Sequence, residues 1–308
     1  MLDMKFVREN LPAVQEMLKH RCNSLDLSSF TALEERRRMK KCNLDVKIAV
    51  GAFIVAVLFL CMAIGLVSLP YDPNEVSVSE KLSFFSRSHI FGTDNLGRDV
   101  ASRLLVSLRI SFLIGFTSAS FGFICGTLLG AFGGFLGGKT DAVITKLIDV
   151  QMSFPGILLA LMLVAALGPS LKTTIFALCI MTVPRFARIA RSSFIKYRNS
   201  PLALGEKARG ASTLRIMFIH IFPNTLGDLL VTYSLSFASA IMHESGLSYL
   251  GLGVQPPAAS FGKMLSDAQS SVFQAPWIIL VPAIALALLI IGFTLISDGI
   301  TSQMEGKN

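Results

Sequence analysis

From Ile48 to Leu69 the chain runs for 22 residues without one charged side chain. At about 1.5 Å of rise per residue, a helix of that length crosses a hydrocarbon core of about 30 Å. A helix closes its own backbone hydrogen bonds, so lipid accepts such a segment, whereas water demands that every face be covered. Further apolar runs of spanning length follow at Ile110–Leu136, Ile144–Leu167, Leu171–Ala190, Leu226–Leu250 and Pro276–Ile296. The chain of 308 residues is 52% hydrophobic and 16% charged, with a mean hydropathy of +0.62, which sets it apart from soluble domains. The expected fold class is all-α: a polytopic membrane protein with six transmembrane helices. Because the first run begins at residue 48, it is read as a retained span and not as a cleaved signal peptide.

In a soluble protein a formal charge of +8 would raise nucleic acid as a partner; in a membrane protein its placement matters more. With the amino terminus inside, the loops place 21 Lys and Arg on the inner side and 7 on the outer, so both termini are expected in the cytoplasm. The organisation that follows is a cytoplasmic extension at 1–47, a first span at 48–69 and an extracytoplasmic loop at 70–107. A transmembrane domain at 108–298 and a cytoplasmic tail at 299–308 complete it.

Within the second span, Gly122, Gly126, Gly130, Gly134 and Gly138 recur every four residues, a stripe along which another backbone can approach closely. Pro155, Pro184 and Pro282 fall in or beside spans, where each removes a backbone donor and favours a kink. The five cysteines are scattered, without zinc spacing, and are read as small buried hydrophobes. Asp149, Asp228, Glu244 and Asp298 lie near predicted membrane ends, within reach of interfacial water and without an evident cationic partner, which argues against proton coupling. His243 and Glu244 are adjacent, and neighbours on a helix point apart, so they make a poor metal pair. No phosphate-binding GxxxxGK[ST] loop, nucleophile elbow or HExxH helix occurs, which leaves neither an ATPase nor a hydrolase within the chain.

The segment "RNSPLALGEKARGASTLRIMFIHIFPN", residues 198–224, stands out as a basic module between two spans. Asn199 or Ser200 can cap a first short helix, Pro201 suits its opening turn and Gly210 can end it. Ser212 can cap a second helix stopping before Pro223, in which Leu214, Met217, Phe218 and Ile221 form one apolar stripe. That stripe calls for a partner surface, which residue physics leaves open between lipid and a groove on another protein.

This module resembles the cytoplasmic coupling loop of permease subunits in binding-protein-dependent ABC importers. Counted back from Gly210, the family's leading Glu position holds Leu204, and its two Ala positions hold Gly205 and Glu206, while Ala208, Gly210, Ala211 and Ser212 follow the pattern. "YDPN", "HIFGTDNLGRDVASRLLVSLRISFLIG", "DVQMSFPGILLALMLVAALGPSL", "HIFPN" and "ESGLSYLGLGVQPPAASFGKML" are similar to the dipeptide, oligopeptide and nickel group, in its C-type subunits. The resemblance implies a type I importer transmembrane domain in a bacterial or archaeal cytoplasmic membrane. It implies a second permease subunit, two ATP-binding subunits and an extracytoplasmic solute-binding protein as partners, with ATP and Mg held by the ATPases and no cofactor in this chain. Small peptides are the expected cargo; nickel, glutathione or another small solute on the same machinery is the alternative, and a self-sufficient secondary transporter the remote one. Glu206, Ala208, Gly210, Ala211 and Ser212 are the expected ATPase-coupling residues.

Residues Phe91–Arg109 read as an amphipathic helix at the outer surface, with Val100, Leu104 and Leu108 on one side. By resemblance the face that meets the binding protein includes Gly92, Asp94, Gly97, Arg98 and Asp99. Residues 1–38, with "MLDMKFVREN" and "LEERRR", resemble the start of seryl-tRNA synthetase, but nothing else of that enzyme follows. They are read as a cytoplasmic amphipathic extension, with Val7, Leu11, Val14 and Leu18 on one stripe; membrane lipid is the expected neighbour of the chain, and nucleic acid is not.

Overall fold

A computed structural model describes residues 28–305, with side chains from 46 to 304; the stripe expected at Val7 to Leu18 lies outside the described residues. The chain divides after Val46, and the unit that begins at Lys47 holds the membrane bundle. The helices among the described residues are α1 (Ser28–Val67), α2 (Val100–Leu136), α3 (Gly138–Met152), α4 (Gly156–Leu167) and α5 (Leu171–Arg198). They continue with α6 (Pro201–Ala208), α7 (Thr213–Tyr249), α8 (Phe261–Ala268) and α9 (Trp277–Glu305).

Five of these, α1, α2, α5, α7 and α9, are long and apolar enough to cross a membrane. The third expected span is not one helix: α3 and α4 meet at a bend of 81° and count together as the sixth span. Pro155 causes the break, since it lacks an N–H and disfavours the helical conformation for the residue before it. Elsewhere helices outrun the apolar runs; α5 continues from Ala190 to Arg198 because hydropathy marks where lipid ends, not where the backbone ladder ends. Phe91–Arg109 is likewise not a separate surface helix. Asp99 caps α2 at Val100, and the expected amphipathic turns are the first turns of a span, with Val100 and Leu108 in the core.

The glycine stripe finds its partner in α5. A Cβ at Gly122, Gly126, Gly130 or Gly134 would strike Thr182 Oγ1 or the carbonyl oxygens of Val183, Ala187 and Arg191, all within 2.5 Å. A widened turn at Gly122–Gly126 lies inside this contact. Gly138 leaves the stripe: it opens α3 with φ +57°, and a Cβ there would meet nothing. Half of α5's apolar window is buried against 6% for α1, so α5 is central and α1 peripheral. Met62, Leu108, Phe237, Ile241, Phe261 and Leu289 join α1, α2, α7, α8 and α9 in one cluster. The Phe237 and Phe293 rings stack there with centroids 4.0 Å apart. Cys179 is buried and Cys61 and Cys125 are half-buried, all three as free thiols.

Two expectations about acids change. Asp149 has a cationic partner, Arg188 Nη2 at 3.3 Å, which is 39 residues away and so invisible to local inspection. Glu244 does not reach interfacial water: it is fully buried, and its carboxylate accepts from Ser248 Oγ at 2.7 Å and Ser245 Oγ at 3.4 Å. The loop before α8 folds over it, with Val254 N donating to Ser248 Oγ at 2.9 Å.

Candidate functional site

The basic module forms as a tight helix pair. Ser200 caps α6, accepting from Ala203 N at 3.3 Å, and Pro201 occupies the first turn, where a missing N–H costs nothing. At the other end Gly210 N donates to Lys207 O at 3.1 Å and Ala211 N to Glu206 O at 3.0 Å. This is the Schellman pattern, which needs a left-handed residue after the helix, and Gly210 supplies it with φ +81°. Ser212 then precedes α7, with an extended backbone and no side-chain cap bond.

The second short helix does not stop before Pro223. It passes through a widened turn at Ile216–Ile221 and runs on as α7, with the Asn224 amide donating to His220 O at 2.7 Å. Such a turn lets a helix continue where a proline would otherwise clash with the carbonyl one turn before it.

The expected apolar stripe is consumed within the chain. Met217 and Ile221 are fully buried, and Phe218 packs with them against Ala131, Phe194 and Ala203. Only Leu214 of the four remains exposed, and Leu202, Leu204 and Ile219 of the same module are exposed with it, the four at 47–59%. Glu206 lies between the two arms: Oε1 is 3.0 Å from Arg209 Nη1 and Oε2 is 3.7 Å from His220 Nε2. Of the five expected coupling residues, Ala208, Gly210, Ala211 and Ser212 fall together at the elbow between α6 and α7, and Glu206 braces it from within.

The opposite end of α2 carries the second expected cluster. Asp94 accepts from Leu96 N at 2.8 Å, Arg98 N at 3.0 Å and Arg98 Nε at 2.7 Å, with Arg103 Nε 3.7 Å away. Arg98 also reaches Asp267 Oδ2 at 3.2 Å, and Lys263 Nζ lies 2.8 Å from Asp267 Oδ1, which ties α8 to the loop. Asp99 accepts from Ser102 N at 2.7 Å and from His89 Nδ1 at 2.9 Å. Arg103, 2% exposed, donates to Pro73 O at 3.1 Å. Gly97 has φ +77°, and a Cβ there would run into Ser77 O.

Gly92, Gly97, Arg98 and Asp99 are thus brought together but buried, and Asp94 is half-buried. The outward surface of this loop is instead Phe84, Phe85, Ile90 and Leu96, which motif reading passed over. Their only signal in the sequence is apolar side chains inside a polar loop.

Residues 126–306 match the family described as binding-protein-dependent transport system inner membrane component. The dipeptide transport system permease protein DppC of Alkalihalophilus pseudofirmus is 37% identical over 90% of this chain and 92% of that protein. The oligopeptide transport system permease protein OppC of Bacillus subtilis is 36% identical over 85% and 86%. The glutathione transport system permease protein GsiD of Pectobacterium atrosepticum is 33% identical over 85% and 87%. Among solved structures, an inward-facing MetNI methionine ABC transporter chain superposes with a TM-score of 0.52 at 16% identity, over 67% of this chain and 93% of that one. That likeness concerns the fold alone. Profile and relatives agree, and the chain belongs to the family of inner membrane components of binding-protein-dependent transport systems.

Proposed function

We propose that this chain is the C-type permease of an importer for small peptides, forming half of a translocation pathway with a second permease subunit. Two ATP-binding subunits engage the α6–α7 elbow from the cytoplasm, and they hold the ATP and Mg. A solute-binding protein docks outside, on the loop of residues 71–99. Both termini lie in the cytoplasm, following the bias of Lys and Arg to one side. The chain itself performs no covalent chemistry.

The observation that carries this reading is the form of the elbow. Its inner face is fixed to the ends of α2 and α5 through Ala131, Phe194, Ala203 and Met217, while Leu202, Leu204, Leu214 and Ile219 face outward without a partner among the described residues. A surface so placed takes up apolar contact from outside and passes displacement to two central spans.

Copurification from mild detergent tests it. Recovery of a second permease and one or two ATPases, with ATP-dependent uptake of a labelled dipeptide after reconstitution with the binding protein, is the expected result. Solute movement by this chain alone, without ATP, would overturn it.

A further inference from the structure

Arginines 185, 188 and 191 stand three apart on α5, a spacing that makes them neighbours along one side of a helix. Two of these rungs are paired with α3. Arg191 Nε and Nη2 donate to the Asp141 carboxylate at 2.5 and 2.7 Å, and Arg188 meets Asp149 at 3.3 Å. One turn beyond Asp149 the sequence offers Met152 and Ser153, and then α3 breaks. Arg185 is therefore left without an acid among the described residues. It stands at the midpoint of the 28-residue α5, about 21 Å from its first residue at 1.5 Å per residue.

Arg185 lines a cavity of about 360 Å³ between α3, α4, α5 and α7, together with Gln151, Thr182, Ser236, Ser239 and His243. Such a volume suits a small ligand. The Ser236 hydroxyl is buried there without a hydrogen-bond partner, while His243 Nδ1 donates to Ser239 O at 2.6 Å. Arg185 is exposed and lines this cavity five residues inside the Ala190 end of the apolar run, where its unpaired guanidinium is open to a counter-charge. Its planar fork matches a carboxylate with two parallel hydrogen bonds.

Resting on the reading of the chain as a peptide importer's permease, we propose that this cavity is a cargo subsite within the translocation path. Arg185 takes the C-terminal carboxylate of the passing peptide, and the Ser236 hydroxyl offers a hydrogen bond to its amides, with Gln151 Nε2 already held by Ile180 O at 2.6 Å. The site is transient by design: one charge contact, released when the bundle changes its opening.

Two measurements on the assembled transporter test this. In the first, uptake of a dipeptide with a free carboxylate is compared with uptake of its C-terminal amide. Arg185→Gln should raise KM for the free acid by about tenfold, the scale of a hydrogen bond to a charged partner, and leave the amide's KM relative to wild type unchanged, with Arg185→Lys between. Equal loss for both peptides, or loss of the second permease on purification, would mean that Arg185 contacts the partner subunit and would sink the proposal. In the second, Ser239→Cys in a cysteine-free complex is labelled with an anionic sulfonatoethyl and a cationic trimethylammonioethyl methanethiosulfonate. Arg185→Gln should lower the anionic-to-cationic rate ratio severalfold; an unchanged ratio overturns the anion site whatever the cargo. If the wild-type complex moves neither peptide, the peptide reading fails, while the labelling ratio still decides the anion site.

Discussion

α6 and the start of α7 are attached to the bundle by apolar packing of Ala203, Ile216, Met217 and Ile221, and the ionic brace at Glu206, which faces Arg209 and His220, is largely exposed on the arginine side. The loop before α2 is attached by charge: Asp94, Arg98, Arg103 and Asp267 satisfy one another, Asp99 pairs with His89, and Arg98, Arg103 and Asp99 are buried. The two ends solve different problems. Packing without direction holds a short helix pair yet leaves its charges free for a partner. A loop of some 30 residues lacks regular structure to pin it, and directional bonds to its own side chains supply the missing constraint.

The contrast can be broken by substitution. Asp94→Ala removes an acceptor of three hydrogen bonds and takes the acid at 3.7 Å away from buried Arg103; a loss of about 3–5 kcal/mol is expected, as for a buried pair deprived of one partner. It would be read from thermal unfolding in detergent, and a negligible change would mean that the loop is not held by charge. Met217→Ala empties a fully buried site at the other end and should cost about 2–5 kcal/mol in the same assay. If it costs less than the solvent-exposed Leu214→Ala, the apolar attachment is wrong.

Gly210→Asp sharpens the comparison from the functional side. Asp tolerates the left-handed conformation better than most residues, and a Cβ at Gly210 meets nothing within 4 Å, so folding and membrane insertion should persist. Uptake should fall about tenfold, within the range of ordinary coupling free energies; normal uptake would remove the elbow from the coupling path. The smallest effect belongs to Glu206→Gln, which breaks a pair whose arginine side chain is 78% exposed and should shift stability by less than about 1 kcal/mol. A larger loss would show that the pair, and not packing, holds the elbow.

Much of this was legible in the residues. Unbroken apolar runs located the spans, and period-four glycines announced a close backbone contact, although not that α5 would be the one to make it. Pro201 and Gly210 marked the ends of α6 correctly because capping is local chemistry. What escaped was non-local. Whether Pro223 ends a helix depends on a widened turn six residues long, and whether Met217 faces a partner depends on α2 and α5. At the outer loop the motif residues were found, but their role as internal wiring was not, since burial of Asp99 and Arg98 is fixed by chain segments such as His89 and Asp267.

The glycine contact between α2 and α5 has a mechanical consequence. From Gly122 to Gly134 the two backbones touch over about 18 Å at 1.5 Å per residue, with no long side chains between them to swivel and absorb a displacement. The pair is a stiff beam. If the elbow is pushed, the end of α5, three residues before α6 begins, should move together with α2 as one body, and a break such as the 81° bend between α3 and α4 is where the domain is free to flex.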